Sequence, residues 1–141
     1  MSGGPIVLGY DGSESANAAL AKTAELAPKL GKHVVVVFGY YVSPLGGQGG
    51  EDMAEALERV GGHALTRARA DLEAAGVDVE VRAESGKPAD AVLGVAKEVD
   101  ADLIVLGTVG ENAITGAILG SVVLRLLHRS PIPLLVVPTS D

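Results

Sequence analysis

Five short apolar runs alternate with four stretches of helical periodicity along this chain. Ile6-Val7-Leu8-Gly9-Tyr10 comes first and stops at the turn signal Asp11-Gly12-Ser13. Ala16, Leu20, Ala24, Ala27 and Leu30 then recur at helical spacing. Ser13 or Ser15 is available as the cap of that helix, and Gly31 stands where a terminating glycine belongs. Val34 to Phe38 is nearly all β-branched and apolar at successive positions. That is the pattern of a strand covered on both faces. Ser43 to Gly50 is glycine-rich and reads as a mobile loop. A long helix is predicted from Glu51, with Gly76 ending it. Val77, Val79 and Val81 alternate with charged residues, which predicts a third strand at a sheet edge. Ala89, Val92, Ala96 and Val99 mark another helix, and Leu103 to Leu106 a fully buried strand. Val122 to His128 reads as a last short helix, and Leu134 to Val137, between Pro133 and Pro138, as the last strand.

Such β-α alternation implies an α/β fold over residues 1–141: one domain, a parallel sheet, and helices on both faces joined by right-handed crossovers. If the first strand is central, the five-stranded sheet has the order 3-2-1-4-5. Ligands of open parallel sheets bind beyond the carboxyl ends of the strands, where the order reverses. Asp11 follows the first strand and Gly107 the fourth, so their loops are predicted to face each other across one crevice.

Composition narrows the chemistry. Aromatics are only 3% of the chain against 48% hydrophobic residues, so Ala, Val and Leu must fill the core. Cysteine is absent, which excludes disulfides, zinc thiolates and thiol nucleophiles. Met1-Ser2-Gly3-Gly4 lacks the basic segment of a signal peptide, and no apolar run approaches the roughly 18 residues of a membrane span. A cytoplasmic protein without a membrane partner is expected. The net charge of −7 opposes binding to nucleic acid. A phosphate ligand must then be held by local backbone dipoles or a metal.

Those dipoles have a place in the sequence. Gly107-Thr108-Val109-Gly110 follows the fourth strand, and Gly120-Ser121 opens the last helix after nine more residues. Taken singly, a loop glycine usually marks a turn. Three at this spacing suit a backbone folded around an anion, with the helix's first N–H groups pointing outward and the Ser121 hydroxyl beside them. Asp11 is anionic and suits ribose hydroxyls or a base amine. Rival motifs fail: Gly86-Lys87 is followed by proline, and no G-x-G-x-x-G follows a strand. The three histidines lack metal-ligand spacing.

Gly107-x2-Gly110-x9-Gly120-Ser121 resembles the G-x2-G-x9-G-[S/T] pattern of the ATP-binding branch of the universal stress protein family. The rest of the chain agrees. Val7-Leu8-Gly9-Tyr10-Asp11-Gly12-Ser13 is similar to the family's first strand and turn. Gly86-Lys87-Pro88-Ala89, Ala101 to Gly107, and Pro133 to Val137 are similar to later segments. The resemblance implies a three-layer, Rossmann-like sandwich of the adenine-nucleotide alpha-hydrolase type. It implies that Asp11 contacts ribose or adenine. Tyr40, just past the second strand, would line the base pocket with Gly9 and Tyr10. Gly110, Gly120 and Ser121 would hold phosphates, with Gly107, Val109, Val122 and Val123 completing the contacts.

Two residues depart from the pattern. Val109 replaces a basic residue common in the family, and Val123 replaces a hydroxyl. ATP, with Mg²⁺ or Mn²⁺ accompanying the triphosphate, is therefore expected with AMP or cyclic AMP as the alternative. The implied role is a regulatory or stress-response module. Slow ATP hydrolysis, or autophosphorylation on Ser121 or Thr115, is the enzymatic alternative. A homodimer through the apolar last strand is expected, because an unpaired edge invites pairing.

Overall fold

A computed structural model describes residues 3–40, 50–109 and 119–139; of residues 50–58 and 60 only the helical backbone is described. The elements follow the chain as β1 (Ile6–Gly9), α1 (Glu14–Leu30), β2 (Val34–Tyr40), α2 (Gly50–Ala74) and β3 (Val79–Ser85). α3 (Pro88–Glu98), β4 (Leu103–Gly107), α4 (Ser121–Arg129) and β5 (Leu134–Val137) complete it. All strand pairs are parallel, and the sheet order is β3-β2-β1-β4-β5. Both strands expected at the edges, β3 and β5, are there.

The sheet explains why the strands are apolar at successive positions. Side chains of a strand alternate between faces. Ile6, Leu8, Val34, Val36 and Val105 pack into the core under α1 and α2. Val7, Val35, Val37, Ile104 and Leu106 pack into a second core under α3 and α4. Val34 to Val37 are each at most 1% exposed. Burying a side chain of this size contributes about 1.5–3 kcal/mol.

The helix ends follow their local chemistry. Ser13 caps α1, its hydroxyl accepting the Ala16 N–H at 3.1 Å. Gly31 ends α1 at φ 67°, and the Lys32 N–H reaches back to the Ala27 carbonyl at 3.0 Å. Several boundaries differ from expectation, most by a single residue. β2 runs on through Tyr40, because it pairs with β3 all the way to Tyr40↔Ser85. For the same reason β3 starts at Val79, leaving Val77 buried ahead of it. Of the segment read as a loop, Gly50 begins α2, and residues 41–49 lie outside the described residues.

Candidate functional site

At the carboxyl ends of β1, β2 and β4 the sheet opens into a cavity of about 570 Å³, counting its open mouth. The crevice forms because the chain leaves β1 and β4 in opposite directions, at the point where the strand order reverses. Gly9 and Gly39 give the cavity its apolar end. A Cβ on Gly9 would stand 2.7 Å from Leu106 Cδ2 and 3.1 Å from Val92 Cγ2. One on Gly39 would stand 2.8 Å from Pro88 Cα. Gly9 thus sets bare backbone against the Leu106 and Val92 side chains, and Gly39 against the Pro88 main chain, all of which line the same space. Val37 adds an apolar wall.

The other end is polar. Asp11 is the formally charged side chain among the described lining residues. Its Oδ1 accepts the Ser13 N–H at 2.9 Å, which fixes the turn out of β1. Gly120, Val122 and Val123 bring the first turn of α4 to the same cavity. Its N-cap residue is Gly120, which has no side chain to cap it. The first N–H groups of a helix lack intrahelical partners and favour negative charge. Tyr10 also lines the cavity. Its phenol donates to Asn17 Oδ1 at 2.5 Å and belongs to the α1 core. Burial pushes its pKa up, Asp71 and Asp11 add to the rise, and Arg67 opposes it.

A chain of hydrogen bonds ties the loop after β4 to both helices. Ser15, 3% exposed, accepts the Val109 N–H at 3.2 Å and lies 3.3 Å from the Thr108 hydroxyl. The Thr108 carbonyl accepts the Gly120 N–H at 2.6 Å. Gly107 allows this approach, since a Cβ there would overlap the Ser15 hydroxyl and carbonyl.

The structure brings Gly9, Tyr10, Asp11, Gly107, Val109, Gly120, Val122 and Val123 together around one cavity. It does not place Tyr40 or Ser121 in the lining. Tyr40 is the last residue of β2, and strand alternation puts it on the same face as Phe38, away from Val37 and Gly39. Ser121 is exposed at the start of α4. Gly110 and Thr115 lie outside the described residues. The Gly120 N–H, expected to meet phosphate, is already bonded to Thr108. Gly39, Pro88 and Val92 were missed in the sequence. Gly39 carried a signal, as a glycine inside a valine-rich strand often marks close approach. Ser15 carried none, because its partners lie 93 and 94 residues away. Two more open hollows lie at the other end of the strands, one at Lys32 and Gly76 and one at Gly4 and Asp102. No helix among the described residues is long and apolar enough to cross a membrane.

The Universal stress protein family profile matches residues 4–138. A universal stress protein of Thermus aquaticus is 37% identical over 138 residues, covering 94% of this chain and 96% of its own. A universal stress protein solved in complex with cyclic AMP is 27% identical at TM-score 0.74, covering 99% of this chain and 100% of its own. One from Archaeoglobus fulgidus, solved in complex with dAMP, is 26% identical at TM-score 0.72, covering 97% and 99%. Sequence match and fold agree along nearly the whole chain, which therefore belongs to the universal stress protein family.

Proposed function

We propose that this protein binds an adenine nucleotide in the cavity at the ends of β1, β2 and β4 and acts as a regulatory module. One observation carries the reading: a single cavity is lined by apolar residues and bare glycine backbone, by the Asp11 carboxylate and by the N-terminal turn of α4. A flat base suits the slot, where Gly9 and Gly39 present backbone. Asp11 suits the ribose hydroxyls as an acceptor. The amides of Val122 and Val123 suit a phosphate. The solved relatives that hold cyclic AMP and dAMP support an adenine ligand.

A second observation bears on how many phosphates are held. The amides of Val109 and Gly120 are engaged by Ser15 and Thr108. Two donors of the glycine motif are thereby withdrawn from a polyphosphate. This favours a single phosphate, as in AMP or cyclic AMP, over the ATP that the motif alone suggests. Calorimetric titration with ATP plus Mg²⁺, AMP and cyclic AMP in parallel tests both points. Tighter binding of a monophosphate is expected. Tighter ATP would restore the triphosphate reading, and no heat with any of the three would remove the nucleotide reading.

The proposed assembly is a homodimer through β5. This strand is an apolar sheet edge. Beside it, α4 leaves Leu124 46% and Leu127 53% exposed. A two-fold contact would cover both and close without propagating.

A further inference from the structure

Ser13 already caps α1, so the Ser15 hydroxyl has no capping work to do in its own helix. It is 3% exposed, and its partners are Thr108 and Val109 at the far end of β4. A buried hydroxyl is costly unless bonded, and this one is bonded across the molecule. Thr108 is engaged twice, through its hydroxyl to Ser15 and through its carbonyl to the Gly120 N–H. The Gly120 carbonyl then accepts the Leu124 N–H at 3.1 Å and opens α4.

We infer that Ser15 is a positioning residue: its hydroxyl clasps Thr108 and Val109, and through Thr108 it holds the start of α4 against the cavity. The clasp ties together three segments that supply Asp11, Val109 and Gly120 to one cavity. Loosening it frees α4 to move away from β1, and a ligand must then bear the cost of re-forming the site. The effect on affinity rests on the nucleotide reading above; the clasp itself does not.

The test is amide hydrogen exchange, read residue by residue, on wild type, Ser15→Ala and Thr108→Val. Thr23→Val is the control. It also removes a fully buried α1 hydroxyl, one that bonds Ala19 within the helix and lies outside the cavity. Val109 loses its acceptor directly in Ser15→Ala, so Gly120 is the informative amide. The clasp requires Gly120 to exchange about tenfold faster in Ser15→Ala and Thr108→Val, and not in Thr23→Val. Cyclic AMP titrated into the same proteins should bind about fivefold more weakly to Ser15→Ala than to Thr23→Val. Unchanged Gly120 exchange in Ser15→Ala overturns the clasp. Equal acceleration in Thr23→Val also overturns it, since that would be general loosening. A wild type that binds no nucleotide removes the proposed function, and Gly120 exchange still decides the clasp.

Discussion

The main chain of Ser15 fills the space where Gly107 would carry a side chain, its carbonyl carbon 2.5 Å from where a Cβ would stand. The first glycine of the glycine motif therefore serves helix-to-strand packing. Gly107→Ala would drive the new methyl into the Ser15 main chain, which rotamer changes cannot relieve. A loss of about 3 kcal/mol is expected. Urea unfolding monitored by far-ultraviolet circular dichroism measures it, and an unchanged midpoint would contradict the contact.

Gly9→Ala meets softer neighbours. Its Cβ would press on Leu106 Cδ2 and Val92 Cγ2, both side-chain ends that can shift. The stability cost should be smaller, about 1 kcal/mol. The added methyl intrudes on the apolar slot, so cyclic AMP affinity should fall at least about tenfold, as a steric block of a bound base implies. Calorimetry beside a urea melt separates the two effects. Undiminished affinity would move the base elsewhere.

How far the sequence disclosed this fold depends on how local each cause is. The strands themselves followed from apolar runs, and the β3 edge from Val79 and Val81 alternating with Glu80 and Arg82; the order 3-2-1-4-5 needed the further premise that β1 is central, which the sheet bears out. The Asp11 turn and the α4 start were marked by their own residues. Tyr40 was misplaced because pairing with β3 extends β2, and a one-residue difference in position changes the face. Ser15 escaped because its partners come from a distant element, and spacing along the chain cannot report a contact across the sheet; Gly39 was overlooked although a glycine among the valines of β2 was itself a sign of close approach.

Acid should weaken the fold through two ion pairs. Hydrogen bonding to Arg82 holds the Glu98 carboxyl below its ordinary pKa, and hydrogen bonding to Lys32 does the same for Asp102. A carboxylate depressed in the folded state stabilises above its unfolded pKa. That contribution disappears as pH falls from about 4 through the lowered folded values. Lys32→Met should flatten the fall in stability with acid. Urea midpoints between neutral and acid pH check this, and parallel curves for both proteins would contradict it. Tyr10 acts at the other extreme: its raised pKa means stability present below about pH 10 and lost as pH rises through the folded value.

The proposed dimer has a surface test. Leu127 is 53% exposed in the single chain, so Leu127→Glu should cost the monomer at most about 0.5 kcal/mol. Sedimentation at micromolar concentration should show a dimer for wild type and a shift towards monomer for Leu127→Glu. A wild type that sediments only as monomer would contradict the β5 assembly.

The central claim is that a nucleotide enters the cavity at the carboxyl ends of the strands. Amide chemical shifts recorded through a titration with cyclic AMP test it most directly. The expected result is a cluster of shifts at Gly9, Asp11, Gly39, Val122 and Val123, the residues that line this cavity. Shifts gathered instead at Lys32, Gly76 and Asp102, at the opposite end of the sheet, would contradict it, as would no shifts at all.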